Sequence, residues 1–336
     1  STGPFQANMT TGTPPASHGL VANGTYHRES HRLEMWTEPN DCIGQPQWWD
    51  RLHEHDTQLT SAVWFPMHSK HCGADYVCLP APIHNPDGSE SLWCYTKPTE
   101  LYGELRDQFG HFPLQHFWGP MANIKSTEWI VSSAIEGARR YRPNLFYIYL
   151  PHLDYAAQKH GPDSAEALAA VTALDVEIGR LAEGFAEAYD NDQLLWLAAS
   201  EYVITPVSDV VYPNRLLREA GLLEVTEQDG GEAIDFAQSR AWALADHQYA
   251  HVFTSDAQAK AKAKDVLQQS SGVAEVFDPR DARQYDLNHP HSGDLMVVSQ
   301  PNSWLAYYYW LDDAQAPDYA RTVDIHRKPG YDPVEL

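Results

Sequence analysis

The sequence is poor in cysteine and in positive charge, and it has no long apolar run. It contains 4 Cys in 336 residues, and 23 Lys and Arg stand against 46 Asp and Glu, a formal net charge of −23. The cysteines lack the paired C-x-x-C spacing of a zinc ribbon and are too sparse for a disulfide scaffold, so we expect mostly free, buried thiols. No apolar run approaches the roughly 20 residues of a membrane span, so no membrane partner is expected.

The excess of negative charge limits the partners. A chain of this charge repels phosphate backbones and anionic lipid head groups, which disfavours a nucleic-acid polymer or a membrane surface as partner. A small phosphorylated substrate held by cations remains compatible with it. We expect a cytoplasmic protein because no signal peptide is recognisable, but the chain opens at Ser1 without Met, so a preceding segment and secretion stay open.

What the sequence does contain is enough apolar material for a large core. The chain is 43% hydrophobic, with 11 Trp, 18 Tyr and 10 Phe. Several of the aromatic and histidine side chains lie in the segment 34–120, which is weakly periodic and rich in Pro and Cys, and which we interpret as a loop-rich cap. These side chains either stack on a base or, as we favour, pack as the core of the cap: Trp64, Phe65, His68, Phe117 and Trp118.

The middle of the chain predicts a strand–helix–strand unit. Two β-prone apolar runs, 144–150 and 193–199, flank a helix that begins with a capping box at Asp163 and Glu166. Its apolar residues recur at spacings of three and four and predict a core stripe: Leu168, Val171, Leu174, Ile178, Leu181 and Phe185. A right-handed crossover would make the two strands parallel.

The order of elements predicts an α/β sandwich with a mostly parallel central sheet and helices on both faces. Further strands are expected at 241–254, 294–299 and 304–310, and an exposed helix at 256–269. We expect a single domain over 1–336, with 34–120 as its cap or insertion.

Polar residues follow the first buried run, at the sheet edge where ligands bind in open α/β sheets. Asp154 and Gln158 are four residues apart on a predicted helix, so both side chains project the same way and could chelate a metal. An amide oxygen suits a harder cation than zinc. His152 or His160 could substitute as ligand, or each could be a surface histidine.

The second buried run is followed by Glu201 and Tyr202. Glu201 is either a carboxylate ligand or the partner of a basic neighbour. Tyr202 is a doubtful metal ligand at neutral pH because a phenol titrates near 10, and it could simply pack.

Both ends of the sequence carry further candidates. The first 24 residues are dense in hydroxyls, Gly and Pro, which suits a helix start or a loop that approaches a ligand, although composition alone favours a surface loop. Near the other end, Asp324 and His326 form an Asp-x-His pair suited to metal or acid–base chemistry. Turn or supporting roles are favoured for 289–295 and for Asp246 and His247.

The segment 9–23 resembles the nucleophile region of nucleotide pyrophosphatases/phosphodiesterases, a branch of the alkaline phosphatase superfamily. It has their Thr-Gly, then Pro-x-x-His-Gly, then Asn. Counting from Gly12, the resemblance places the family's nucleophile on Thr2 and its oxyanion-contacting asparagine on Asn23.

The same resemblance extends to the metal ligands, with departures. Asp154 and the Gly-Pro at 161–162 match the family, but Gln158 stands where it has His. Glu201 and Tyr202 replace the family's Asp and His of the second metal site. The resemblance assigns His326, which precedes a Gly-Tyr-Asp, to the first metal, and the family's first Asp ligand lies before the nucleophile, where this chain has no residues.

The resemblance therefore implies a metal-dependent hydrolase of phosphodiester or pyrophosphate bonds in a small, nucleotide-like substrate, acting through a threonine nucleophile. It implies one or two divalent ions, with zinc the first choice and Mg, Mn or Ca open because of Gln158 and Glu201. The alternatives are a binding protein that has lost two-metal catalysis, or a phosphomonoesterase or sugar-phosphate enzyme with a single-metal site.

Overall fold

The computed structural model describes residues 1–37, 39–85, 90–190, 194–228 and 230–331. The chain divides into two compact units: the first comprises Ser1–Thr37, Ile43–Gln45 and Pro206–Glu335, and the second comprises Glu38–Cys42 and Pro46–Thr205. The helices in the described residues are α1 (Thr2–Thr11), α2 (Pro15–His18), α3 (Trp48–His55), α4 (Leu101–Phe109), α5 (Ile124–Tyr141), α6 (Leu153–His160), α7 (Ala165–Ala188), α8 (Pro213–Glu219) and α9 (Ala257–Gln268). The strands are β1 (Gly24–His27), β2 (Arg32–Met35), β3 (Ser61–Trp64), β4 (Tyr76–Pro80), β5 (Ile83–His84), β6 (Glu90–Ser91), β7 (Cys94–Lys97), β8 (Leu145–Ile148), β9 (Asp209–Val211), β10 (Val225–Gln228), β11 (Gly231–Ile234), β12 (Ala241–Asp246), β13 (Tyr249–Thr254), β14 (Val273–Phe277), β15 (Leu295–Ser299) and β16 (Ser303–Leu305).

The first unit is built on a four-stranded antiparallel sheet in the order β12-β13-β15-β14. Every residue of β12 is buried, and on the next strand Phe253 stacks on Trp242 with ring centroids 4.8 Å apart. The strand expected at 241–254 is thus a hairpin, because His247 turns the chain with a φ of 46°. The helix expected at 256–269 is confirmed as α9, with Asp256 as its N-cap.

The second unit contains a mixed sheet in the order β7-β4-β3-β8. β3 runs parallel to both β4 and β8, whereas β7 is antiparallel to β4. Trp64 of β3 is fully buried and donates a hydrogen bond from Nε1 to Ser133 Oγ on α5, at 3.2 Å. The segment 34–120 therefore supplies three strands of this sheet, and Trp64 and Phe65 belong to its core.

The predicted α/β class is confirmed, but the expectation of a mostly parallel sheet holds only in part. Parallel pairing joins β4, β3 and β8 in the second unit, while the four-stranded sheet of the first unit is antiparallel throughout. The reason is local: β12 and β13 are joined by a two-residue turn, which can connect only antiparallel neighbours.

The helix α7 is present as predicted, but it buries a different face. Ser164, not Asp163, is its N-cap, accepting a hydrogen bond from the backbone N–H of Ala167 at 3.1 Å. Of the predicted stripe, Leu181 and Phe185 are buried, whereas three residues are largely exposed: Leu168 at 62%, Val171 at 51% and Ile178 at 43%.

Close helix packing explains the face that α7 buries. Its buried residues include Ala167, Ala170 and Gly184, and a Cβ on Gly184 would lie 2.6 Å from Ile135 Cδ1 of α5. Small side chains allow the two helices to approach closely, which larger residues on that face would prevent.

The prediction of a second buried strand at 193–199 is wrong for residues 194–199. Gln193 lies outside the residues that the structure describes. Residues 194–199 form no strand, and Leu195 and Leu197 are 98% and 77% exposed. Within the described residues β8 pairs only with β3. An apolar β-prone run becomes a strand only when a neighbour pairs with its backbone, and here none does.

Three smaller predictions can also be compared with the structure. The four cysteines are free thiols, three of them buried and Cys42 partly exposed. The strand at 294–299 is confirmed as β15, but the one at 304–310 is limited to β16, and Tyr307 and Tyr309, which follow it, are buried outside any named strand. None of the described helices is both long and apolar enough to span a bilayer.

Candidate functional site

In the first unit, the Asn23 side chain contacts the start of α1, at the residue after Thr2. Thr2 is the first residue of this helix, and the backbone N–H of Gly3 donates a hydrogen bond to Asn23 Oδ1 at 2.9 Å. The first N–H groups of a helix have no partner inside the helix, so the Asn23 side chain satisfies one of them. Asn23 is buried and immediately precedes β1. The two residues that the sequence predicted as catalytic are therefore neighbours.

Asp246, the last residue of β12, holds the other end of the Asn23 amide. Asn23 Nδ2 donates to Asp246 Oδ2 at 3.2 Å, and the same carboxylate oxygen accepts a hydrogen bond from Tyr249 at 3.2 Å. The carboxylate thus fixes which end of the amide faces Gly3. The supporting role favoured for Asp246 agrees with this geometry, whereas Tyr249 carried no sequence signal.

His326 lies in an exposed turn of the first unit. Its Nδ1 lies 3.1 Å from the backbone carbonyl oxygen of Met35. Because a carbonyl only accepts, Nδ1 carries the hydrogen and the lone pair is on Nε2, the arrangement typical of metal-ligating histidines. Met35 pairs with Gly24 in the β1–β2 hairpin, one residue beyond Asn23.

The other histidine candidates of this unit have structural partners. His291 Nδ1 lies 2.9 Å from the carbonyl oxygen of Gly19, and the His289 ring packs where a Cβ on Gly19 would lie. His247 stacks on Tyr331 with ring centroids 3.9 Å apart.

In the second unit, three predicted metal ligands meet at one carboxylate. Asp154 lies in the first turn of α6, shortly after β8, and its Oδ1 accepts hydrogen bonds from Gln158 Nε2 and, at 2.8 Å, from the Tyr202 hydroxyl. The spacing of four residues puts Asp154 and Gln158 on one helix face, as the sequence predicted.

The charge of Glu201 affects two tyrosines, Tyr147 in β8 and Tyr149 just after it. Burial, and after it the negative charge of Glu201, raises the pKa of Tyr147 to about 12. The same two causes raise the pKa of Tyr149 well above its ordinary value. Glu201 is therefore within electrostatic reach of the carboxyl end of β8.

A cavity of about 210 Å³ lies beside α6 in the second unit. His152 and His160, the two histidines considered as substitute ligands, line it together with Tyr155 and Lys159. No sequence pattern had indicated Lys159.

The donor chemistry around Asp154 fits a divalent cation that prefers oxygen. Asp154 Oδ1 accepts hydrogen bonds from the Gln158 amide nitrogen and the Tyr202 hydroxyl, so the Gln158 amide would have to turn its oxygen toward a cation there, and an oxygen set of this kind suits Mg, Mn or Ca better than zinc. Across the described part of the chain, no group of three or more His, Cys, Asp or Glu side chains could hold a metal. Of the five predicted ligands, His326 belongs to the first unit and the other four to the second.

Comparison with known proteins gives consistent matches. The family model of type I phosphodiesterase / nucleotide pyrophosphatase matches residues 1–332. An uncharacterized pyrophosphatase/phosphodiesterase of Schizosaccharomyces pombe is 23% identical over 214 residues, which are 64% of this chain and 37% of that protein. The chain thus spans little more than a third of the length of this curated relative.

Solved structures share the fold at low identity. Phosphonoacetate hydrolase from Sinorhizobium meliloti, in complex with phosphonoacetate, matches with a TM-score of 0.60 and 17% identity, over 92% of this chain and 71% of that one. Murine ectonucleotide pyrophosphatase / phosphodiesterase 5 matches with a TM-score of 0.58 and 14% identity, over 93% and 70%. These likenesses confirm an alkaline-phosphatase-like fold.

Proposed function

Because this chain belongs to the type I phosphodiesterase / nucleotide pyrophosphatase family, we propose that it hydrolyses phosphodiester or pyrophosphate bonds of a small substrate through the hydroxyl of Thr2. The observation that carries the proposal is the hydrogen-bonded link from Gly3 at the start of α1 through Asn23 to Asp246. The structural relatives were solved with small phosphorus compounds, phosphonoacetate in one case and AMP in the other.

Thr2 is the nucleophile in this proposal. The Thr2 hydroxyl loses its proton to solvent and its Oγ forms a bond to phosphorus, while the bond from phosphorus to the leaving oxygen breaks and that oxygen takes up a proton from solvent. Water then hydrolyses the phosphothreonine, which restores the Thr2 hydroxyl and releases the phosphorus product. Thr2 is the first residue of α1, where helix N–H groups are unsatisfied and negative charge is favoured.

Asn23 stabilises the charge that develops on a nonbridging oxygen. A buried amide held at both ends is preorganised, so it does not have to reorient during the reaction. Asp246 is a positioning residue, since it acts through Asn23.

In the second unit, Asp154, Gln158, Glu201 and Tyr202 would hold a divalent metal, and in the first unit His326 would be a separate candidate ligand. Bound there, the cation would supply positive charge that lowers the pKa of a hydroxyl and offsets the charge of a phosphate. The chain's own contribution is to keep Asp154 within hydrogen-bond reach of Gln158 and Tyr202, and to keep the lone pair of His326 on Nε2.

A second candidate function is a binding protein without turnover. It is favoured by the lack of any group of three or more His, Cys, Asp or Glu side chains that could hold a metal in the described ranges. Gln158 and Tyr202 would then serve only to satisfy the Asp154 carboxylate.

Turnover of bis(4-nitrophenyl) phosphate by the purified protein tests the proposal. We expect a Thr2→Ala variant to lose at least about a hundredfold in kcat, because the covalent step has no substitute. Thr226→Ala is the matched control, since Thr226 is exposed on β10 of the same unit, and it should keep the parent rate.

Metal removal completes the same assay. Chelation should abolish turnover, and adding back Mg, Mn, Ca or Zn singly should identify the cation by the rate that returns. Absence of turnover with every metal, or equal rates in the parent and the Thr2→Ala variant, would overturn the hydrolase and favour the binding protein.

A further inference from the structure

Tyr249 lies directly opposite Asp246, at the turn that joins β12 to β13. Its hydroxyl donates a hydrogen bond to Asp246 Oδ2 at 3.2 Å, and the same oxygen accepts from Asn23 Nδ2 at 3.2 Å. The backbone N–H of Gly3 donates to the other end of the Asn23 amide at 2.9 Å. A continuous chain of hydrogen bonds thus runs from Tyr249 to the residue after Thr2, entirely within the first unit.

The orientation of the Asn23 amide determines what this side chain offers to a substrate. A primary amide has two N–H donors at one end and an oxygen acceptor at the other. The oxygen of Asn23 is used by Gly3 and one N–H by Asp246, so the second N–H is the donor without a partner among the described residues. A reversed amide would place a donor against the N–H of Gly3 and its oxygen against a carboxylate. The two partners therefore allow only the observed orientation.

Asp246 holds this orientation only while its Oδ2 carries no proton, because a protonated oxygen would turn a donor toward Asn23 and Tyr249. Burial by itself raises the pKa of Asp246. The positive charge at Ser1, the nearby His247 and the hydroxyls of Ser1 and Tyr249 outweigh burial and hold that pKa below its ordinary value. Burial also raises the pKa of Tyr249 well above its ordinary value, so its hydroxyl stays protonated and remains a donor.

The ring and the backbone of Tyr249 have a separate structural role. The ring packs against a small apolar cluster formed by Phe277, Ala282 and Met296. The backbone pairs with Val298 of β15. A Tyr249→Phe variant keeps these contacts and removes only the hydroxyl, so the contribution of its hydrogen bond can be measured apart from packing.

We propose that Tyr249 is a positioning residue, which acts through Asp246 to hold the Asn23 amide with its second N–H free for a nonbridging oxygen of the substrate. The inference rests on the proposed function for the reaction that this N–H assists. A donor that acts on the charge developed in the transition state affects kcat more than KM. Loss of the Tyr249 hydroxyl should therefore lower kcat and leave KM unchanged.

Nuclear magnetic resonance of protein with isotope-labelled asparagine observes the Asn23 amide directly. Its side-chain signal is the one that an Asn23→Ala variant lacks. We expect this signal to shift in Tyr249→Phe, and its hydrogens to exchange with water about fivefold faster, the effect of one lost hydrogen bond. Tyr285→Phe is the matched control, because the Tyr285 hydroxyl donates to Glu275 Oε2 at 3.1 Å, outside this chain of hydrogen bonds. The control should leave the Asn23 signal unchanged.

Turnover of bis(4-nitrophenyl) phosphate gives a second, independent measurement. Tyr249→Phe should lower kcat about fivefold and leave KM unchanged, whereas Tyr285→Phe should keep both constants. In the Asn23→Ala background, Tyr249→Phe should cause no further loss, since the amide through which it acts is gone. A merely structural role of the hydroxyl would lower the rate by the same factor in both backgrounds.

An unchanged Asn23 signal in Tyr249→Phe, or an equal further loss of kcat in the Asn23→Ala background, would overturn the positioning role. The amide signal requires no turnover. Absence of turnover in the parent would therefore contradict the proposed reaction, while the signal would still decide whether Tyr249 orients Asn23.

Discussion

At the scale of single residues, the interior of the first unit depends on a neutral histidine. His251 Nε2 lies 3.1 Å from the carbonyl oxygen of Val21, and Nδ1 accepts a hydrogen bond from the backbone N–H of Gly293 at 3.1 Å. A protonated ring would turn Nδ1 into a donor facing another donor. Burial lowers the pKa of His251 to about 4, against an ordinary value of 6.5.

The shifted pKa of His251 predicts a stability that falls in acid. The unfolded chain takes up the proton first, so the contribution is fully present above about pH 6.5 and is lost as the pH falls toward 4. At pH 5 the loss is about 2 kcal/mol. The change in unfolding midpoint between pH 7 and pH 5 should therefore be larger for the parent than for His251→Gln.

His55→Gln is the control for this pH series, since His55 is exposed at the end of α3. That variant should keep the parent's pH dependence. If His251→Gln also kept the pH dependence of the parent, the neutral state of His251 would not contribute to the loss of stability in acid.

At the scale of elements, α7 presents leucines in two different environments. Leu181 is 4% exposed and packs in the core of the second unit, whereas Leu168 on the same helix is 62% exposed. Periodicity alone placed both on one buried stripe. The small residues of α7 instead determine which face of the helix is buried, because they allow α5 to approach on their side.

The same substitution at Leu181 and at Leu168 should lower the free energy of unfolding by different amounts. Leu181→Ala should lower the free energy of unfolding by about 2–5 kcal/mol, because it leaves a cavity in a packed core. Leu168→Ala should change it by less than about 0.5 kcal/mol, since an exposed position loses little contact. Denaturant titration measures both, and equal effects would mean that Leu168 is buried in solution.

Local patterns predicted helices better than they predicted helix caps or distant partners. The α9 helix and the contact of Asp154 with Gln158 follow from residues within one turn of each other, whereas the N-cap of α7 is Ser164 and not the predicted Asp163. The run at 194–199 has the composition of a strand, but pairing depends on a neighbour that no local pattern encodes. Tyr249 was missed for another reason: it is only three residues from Asp246, but the two meet because of the turn at His247, in a segment that the sequence predicted as one strand.

At the scale of the whole molecule, the net charge of −23 opposes any anionic substrate. Repulsion between like charges slows the encounter, and salt screens it over a Debye length of about 8 Å at physiological ionic strength. The acidic composition was evident from the sequence, and so was its conflict with a phosphorylated substrate.

Because of this repulsion, we expect kcat/KM for an anionic substrate to increase with salt concentration. Raising the ionic strength from about 50 to 200 mM should increase kcat/KM for an anionic substrate by at least about twofold, because screening weakens the repulsion. Steady-state kinetics at several salt concentrations measures it, with an uncharged inert polymer as the viscosity control. A rate that decreased with salt would show that local positive charge outweighs the global field.

The fold class was predictable from the order of apolar runs, whereas the split of the candidate residues between two units was not. Thr2 and Asn23 are close in sequence and close in space, within the first unit. Asp154 and Tyr202 are 48 residues apart and meet only because the chain returns to the end of β8. The separation of two residues in the sequence does not show where the chain folds back onto an earlier element.

The unpaired edge of β8 and the exposed Leu195 and Leu197 bear on how the protein behaves in concentrated solution. Within the described residues β8 pairs on one side only, and an open strand edge and exposed leucines each favour self-association. The many carboxylates keep molecules apart by mutual repulsion at neutral pH. Mildly acidic buffers that neutralise them would remove this colloidal protection, so purification and crystallisation should begin well above the pH range in which carboxylates protonate.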